Sequence, residues 1–331
     1  MKTIAFFNNK GGVGKTTLVY HLAWMLSRMG KRIVAVDLDP QANLTSMFLP
    51  EEKLEEIWRE GQPSQSIMGA LSPIIRGTGD IAATPFQKLD SNLWLIPGDL
   101  ALAQFEGELS EAWGKCLDGK EPAFRTTSAF YRAIRSVAGS MCADFVMMDV
   151  GPNLGAINRA GLICADWIIL PLAPDLFSLQ GLRNLGPTLK RWRNEWQHCL
   201  EQNPANDLEL PAGKLAALGY IVMQLGLRDS NIVKAYERWL DKIPATYAEN
   251  FKGIQEEGDD VADHQLAKLK HYRSLVPMAM EARKPVFDLK AADGALGAHS
   301  YAVKSCFDDF YLLASTILSR IELIDEYEAI F

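Results

Sequence analysis

Only five cysteines occur in the 331 residues, Cys116, Cys142, Cys164, Cys199 and Cys306, and no two of them form a Cys-x-x-Cys pair. Scattered, odd-numbered thiols of this kind read as reduced and mostly buried, and mark no metal or iron–sulfur centre on one chain. The five histidines, His21, His198, His264, His271 and His299, likewise show no metal-ligand spacing. Long apolar runs are absent too. Leu162 to Ala173 is interrupted by Asp166 and is far shorter than a membrane span, and Ile4–Phe7 is too short for a signal peptide. A cytoplasmic chain is therefore expected. There is no basic excess: the formal net charge is −7, which argues against a general nucleic-acid coat but leaves room for a local basic patch. No internal repeat is evident. What is present is ordinary for a globular chain with a core of normal size, at 48% hydrophobic and 23% charged residues. The length suits one α/β domain carrying insertions.

The stretch Asn9-Lys10-Gly11-Gly12-Val13-Gly14-Lys15-Thr16-Thr17 organises the rest. Before it, Ile4-Ala5-Phe6-Phe7 reads as a short buried strand; after it, Leu18, Leu22, Met25, Leu26 and Met29 recur at helical spacing. Strand, glycine-rich loop and helix are the setting of a phosphate-binding loop. Backbone N–H groups from Gly11 to Lys15 can converge on phosphate oxygens, aided by the partial positive charge of the helix start. Lys15 would reach the β- and γ-phosphates, and the Thr16 hydroxyl would hold Mg²⁺.

Position 9 is Asn9 where the common Gly-x4-Gly-Lys-Thr pattern has glycine, and a second lysine, Lys10, precedes the double glycine. In this the loop resembles the deviant Walker A motif of the ParA/MinD class of ATPases, closest to ParA/Soj-like partition ATPases. Further stretches carry the same resemblance. Asp37-Leu38-Asp39-Pro40-Gln41-Ala42-Asn43 follows the apolar run Ile33–Val36 and resembles the family's first switch motif. It implies that Asp39 orients the attacking water and that Asp37 lies near the Mg²⁺ shell. Phe145–Met148 delivers Asp149 to the same sheet edge, resembling a Walker B strand whose carboxylate serves the metal. After it the family's Asp-x-Pro-Pro is replaced by Asp149-Val150-Gly151-Pro152, and Gly151 implies a more mobile second switch. Ser178-Leu179-Gln180-Gly181-Leu182 and Leu275-Val276-Pro277 extend the likeness. It implies Gln224 and Pro277 beside the adenine, and Lys10 reaching across a face-to-face homodimer to the partner's phosphates.

The fold expected is a doubly wound, mostly parallel sheet with helices on both faces, one P-loop ATPase domain over residues 1–331. Insertions are expected near 51–91, 193–213 and 241–267, the last acidic and partly flexible. The function that the resemblance implies is a slow Mg²⁺-dependent ATPase. Its ATP-sandwiched dimer would bind DNA non-specifically at the nucleoid, with a ParB-like partner stimulating hydrolysis, in plasmid or chromosome partition. Candidate DNA contacts are Arg228, Arg273, Lys268, Lys270 and Arg183. The alternatives are an ATP switch that positions a protein assembly without DNA, and an electron-donating reductase, for which no cysteine pair is visible. The acidic tail Glu322–Phe331 lacks the Lys/Arg-rich amphipathic character of a membrane-targeting helix.

Overall fold

Short, continuously apolar runs build the sheet, because a strand covered on both faces has no polar side to show. The computed structural model describes the chain except for residues 225–236, 252, 254–263, 273–274, 296 and 331. Eight strands form one sheet: β1 (Lys2–Phe6), β2 (Ile33–Asp37), β3 (Gln87–Asp90), β4 (Leu93–Ile96), β5 (Phe145–Asp149), β6 (Trp167–Leu172), β7 (Ala216–Gln224) and β8 (Gln265–Lys270). Their order is β3-β4-β2-β5-β1-β6-β7-β8, parallel throughout except for the β3–β4 pair. β2, β4, β5 and β6 are buried along their whole length.

The helices are α1 (Lys15–Arg28), α2 (Asn43–Phe48), α3 (Glu51–Ile57), α4 (Ile67–Ile75), α5 (Glu106–Leu117), α6 (Glu121–Thr127), α7 (Ala129–Ser140), α8 (Ala156–Leu162), α9 (Leu176–Glu201), α10 (Ile243–Phe251), α11 (Leu275–Ala282) and α12 (Ala298–Ile330). Successive strand residues point to opposite faces, and two separate cores result. Val34, Val36, Val146 and Met148 pack with α4 to α10 on one face. Ile33, Ala35, Phe145 and Met147 pack with α1, α2, α11 and α12 on the other. This is the doubly wound arrangement expected.

The segments expected as insertions contribute to these cores. In 51–91, α4 buries Ile67, Ala70 and Leu71, and β3 adds an antiparallel edge that alternating, half-exposed Gln87–Asp90 did not announce. In 193–213, α9 runs on to Glu201 and buries Trp196 against Trp113, with ring centroids 5.8 Å apart. In 241–267, α10 places Tyr247 and Phe251 fully inside, and β8 closes the sheet. The acidic residues Glu256, Glu257, Asp259, Asp260 and Asp263 lie outside the described residues.

The consequence of the strand order is positional. β2, β5 and β1 are adjacent, and Asp149 is in register with both Asp37 and Phe6. Two carboxylates and the glycine-rich loop therefore leave the same edge of the sheet within about 5 Å per strand of one another.

Candidate functional site

The loop after β1 is pinned from beneath by Asn8, which is buried. Its Nδ2 donates to the Pro171 carbonyl at 2.7 Å, and its Oδ1 accepts the Lys10 N–H at 2.9 Å. Gly12 and Gly14 have φ of 74° and 84°, in the left-handed region that favours glycine. At Gly14 a Cβ would also stand 3.0 Å from Met223 Cε, a tight contact that the methionine tip would have to yield to. Gly14 caps α1 without any side-chain acceptor, which leaves the first-turn N–H groups of Lys15, Thr16 and Thr17 to an anion. Gly11 and Gly12 are exposed, with nothing within 4 Å of an added Cβ, and Val13 is buried.

Lys15 is buried and its Nζ lies 3.5 Å from the Lys10 carbonyl oxygen. Burial pulls its pKa below the ordinary lysine value, while Asp149 and Asp39 pull the other way. A buried ammonium facing two carboxylates and a bare loop is a preformed counter-charge for a polyanion.

Asp149 is wholly buried at the end of β5. Its Oδ2 accepts the Thr16 hydroxyl at 2.6 Å. Its Oδ1 has no hydrogen-bond partner among the described residues. Burial, then the charge of Asp37, raises its pKa well above the usual carboxylate range. An unpartnered buried oxygen beside a hydroxyl is a hard-oxygen donor set of the kind Mg²⁺ takes, so the residues present fit that ion.

Asp37 differs. Its Oδ2 accepts both the backbone N–H (2.8 Å) and the hydroxyl (2.7 Å) of Thr45, and its Oδ1 faces the Asp39 N–H at 3.2 Å. Burial raises its pKa to about 6 against those hydrogen bonds. Asp37 thus anchors the turn carrying Asp39 and ties it to α2, whereas Asp149 keeps one oxygen without a hydrogen-bond partner among the described residues. Asp39 stands at the turn, its Oδ1 accepting the Gln41 N–H at 2.9 Å and its backbone oxygen the Ala42 N–H at 2.8 Å. A Cβ on Gly151 would lie 3.5 Å from Asp39 Oδ1, so the turn after β2 and the loop after β5 meet here.

Gly151 is held more firmly than its identity suggested. The buried Asn158 of α8 accepts the Gly151 N–H at 3.0 Å and donates to its carbonyl at 2.9 Å and to that of Asn153 at 2.7 Å. Glu106 of α5 takes the first N–H groups of α8, Ala156 at 2.5 Å and Ile157 at 2.9 Å. The freedom that glycine brings is countered by a side-chain clamp seven residues on, a pairing without a sequence signature.

Beside the loop lies a mostly apolar cavity of about 240 Å³. Val13, Met223, Leu269, Val276, Val286 and Phe310 are among its walls. Val276 lines it, whereas Pro277, expected beside the adenine, is exposed on the outer side of α11 and does not. For Gln224 the structure gives the end of β7 and no side-chain placement. His21, one turn after Thr17, also faces the cavity. Its Nδ1 lies 2.8 Å from the Thr17 carbonyl and its Nε2 accepts the Val286 N–H at 3.1 Å, which assigns the neutral ring with the proton on Nδ1. Burial lowers its pKa to about 4.

Lys10 projects from the loop and is about one-third exposed. Its ammonium is paired with Asp175, the N-cap of α9, and sits 5.6 Å from the centre of the Phe177 ring. Of the candidate DNA contacts, Lys268 and Lys270 are exposed on the edge strand β8, and Arg183 is exposed on α9. Arg228 and Arg273 lie outside the described residues. Among the described residues no helix is long and apolar enough to cross a membrane.

Residues 1–202 match the family described as an AAA domain. The chain is 33% identical over 149 residues to the chromosome-partitioning ATPase Soj of Thermus thermophilus, covering 42% of this chain and 59% of that protein. It is 29% identical over 245 residues to the sporulation initiation inhibitor protein Soj of Bacillus subtilis, covering 74% of this chain and 83% of that protein. Of two longer relatives, from Rhizobium rhizogenes and Sinorhizobium fredii, the chain spans only 36% and 35%. Among solved structures, a protein from Corynebacterium diphtheriae superposes with a TM-score of 0.74 at 26% identity, over 97% of this chain and 99% of that one.

Proposed function

This chain belongs to the AAA-domain family matched by its first 202 residues, as an ATPase of the ParA/MinD type, and from that membership we propose a Mg²⁺-dependent ATP hydrolase that dimerises around its nucleotide. The observation that carries the reading is the triad of buried Lys15, Thr16 hydroxyl and half-satisfied Asp149 beneath a bare glycine-rich loop. ATP sets its triphosphate on the loop N–H groups and its base in the adjoining apolar cavity, as the purine is flat and weakly hydrated. Thr16 and Asp149 would hold Mg²⁺, which supplies neutralisation of phosphate charge. Lys15 adds a second positive charge, and Asp39 orients the water for in-line attack on the γ-phosphorus. Such catalysis is positioning plus electrostatics, with little covalent work for the protein. Lys10, on the loop rim, reaches the phosphates of a second copy, so that ATP governs association.

The job built on this cycle is partition: the ATP dimer binds DNA non-specifically through exposed Lys268, Lys270 and Arg183, with Arg228 and Arg273 as further contacts. A ParB-like partner stimulates an otherwise slow turnover and releases the dimer. In this reading the chain works in the cytoplasm, on the nucleoid. The net charge of −7 favours a second reading, an ATP switch on a protein assembly without DNA. A gel shift with and without ATP, at rising salt, separates them. DNA binding through five phosphate contacts gives a log–log salt slope near −4 to −5. No ATP-dependent shift at low salt leaves the second reading. For the dimer, Lys10→Ala is expected to keep ATP binding yet lose ATP-dependent dimerisation and hydrolysis. Sedimentation showing intact ATP dimers of that variant overturns the role given to Lys10.

A further inference from the structure

α11 is lightly seated. Of its eight residues only Leu275 and Ala279 are buried. Val276 walls the large cavity beside the phosphate loop, and with Ala279 and Met280 it also borders a small, mostly apolar cleft shared with Met47 of α2. The far end of α11 is tied down by Arg283. Its backbone has φ of 50°, a left-handed conformation uncommon outside glycine, and its exposed side chain reaches α2. There the guanidinium donates to the carbonyl of Leu49, 234 positions away in the chain. Leu49 is the C-cap of α2, a helix with no basic residue in its own last turn. Arg283 therefore supplies the positive charge that a helix end favours.

From Leu49 a line of hydrogen bonds runs to the turn of Asp39. The Leu49 N–H donates to the Thr45 carbonyl at 3.0 Å. The Thr45 N–H and hydroxyl donate to Asp37, and Asp37 faces the Asp39 N–H at 3.2 Å. Resting on the nucleotide reading above, we infer that Arg283 is a positioning residue that couples the base cavity to the Asp39 turn. A base seated against Val276 fills the space on one side of α11 and holds the helix where Arg283 meets Leu49. That contact steadies α2, and α2 steadies Thr45, Asp37 and the turn, a contiguous path of bonded groups. A phosphate chain without a base binds the loop but leaves α11, and with it α2, as loose as before.

The test is Arg283→Gly. Glycine suits a positive φ, so the variant is expected to melt no lower than wild type while the guanidinium is gone. Arg283→Asn also tolerates that φ, is too short to reach Leu49, and repeats the test on a second backbone. Hydrogen exchange by peptide mass spectrometry reads residues 9–17 and 43–49. The ligands are saturating magnesium ADP and, as the base-free probe, magnesium tripolyphosphate. In the wild-type chain both are expected to protect 9–17. ADP alone is expected to slow exchange over 43–49, by about fivefold, the size of one net hydrogen bond. In Arg283→Gly protection of 9–17 stays, while that of 43–49 falls below about twofold; Arg283→Lys, which keeps a donor for Leu49, restores it. With 9–17 protected, any of three results overturns the inference and leaves the nucleotide reading standing: no effect of ADP on 43–49, an equal effect of tripolyphosphate, or the full ADP effect in Arg283→Gly. If neither ligand protects 9–17 in the wild-type chain, both fail.

Discussion

His21 allows a test of site electrostatics that needs no ligand. Its ring is buried, neutral, and wedged between the Thr17 carbonyl and the Val286 N–H. In the unfolded chain its pKa is about 6.5, against about 4 when folded, so the unfolded state binds the extra proton between those values. Stability from this group is full above pH 6.5 and drains away as pH falls towards 4. Between pH 7 and pH 5 the loss is about 1.8 kcal/mol at 1.36 kcal/mol per pKa unit. Asp37 runs the other way. Its folded value of about 6 exceeds the ordinary 3.8, so the folded state binds the extra proton and gains about 1.3 kcal/mol over the same descent. The pair nearly cancels in the wild-type chain. His21→Gln removes one side of the balance, since its amide oxygen can still accept from Val286 but does not titrate. Urea unfolding followed by tryptophan fluorescence at pH 7, 6 and 5 is the assay. Relative to wild type, the variant should gain about 1.8 kcal/mol on going from pH 7 to 5, whatever fixed offset it carries at pH 7. Parallel pH curves for the two proteins would refute the assignment of a neutral, proton-resisting His21.

Gly186→Ala on α9 tests how firmly α10 is docked, because a Cβ there would stand 2.0 Å from the Asn250 carbonyl oxygen. The usual helix gain of about 1 kcal/mol should reverse into a loss of about 1–3 kcal/mol in denaturant melts. Gly114→Ala on α5, with nothing within 4 Å, should show the gain itself. Asn158→Ala frees both backbone groups of Gly151 and should cost about 2 kcal/mol, with ATP turnover falling more than nucleotide affinity in a coupled phosphate-release assay. Asp149→Asn removes a buried charge beside Asp37. It should raise the melting temperature without ligand and abolish the further rise given by ATP with magnesium, as scanning fluorimetry would read.

The centre of the molecule was legible because its signals are local. An apolar run ending in Asp37 or Asp149, and a glycine-rich loop opening a helix at Lys15, each state their place within ten residues. The rest depends on side-chain pairings, near or far along the chain, that no local pattern encodes. Asn158 clamps Gly151 and Glu106 caps α8, and neither stands in a pattern that names its target. Residues 241–267 read as an acidic insertion because Glu256 to Asp263 dominate their composition, yet Tyr247 and Phe251 stack face to face inside the core with an interplanar angle of 3°. Pro277 was placed by resemblance; the helical turn of α11 brings Val276 to the cavity in its stead.

The pairing of β1 also bears on how the protein is made. Its two neighbours, β5 and β6, begin 143 and 165 residues further on, at Phe145 and Trp167 against Lys2. A nascent chain shorter than that has its first strand ready but no edge to lay it against, and non-local pairing of this kind is slow to close. Just over half of the polypeptide, through Leu172 of 331 residues, must leave the ribosome before β1 has both neighbours and Asn8 its Pro171 carbonyl, so a product truncated before that point lacks the support of the phosphate loop.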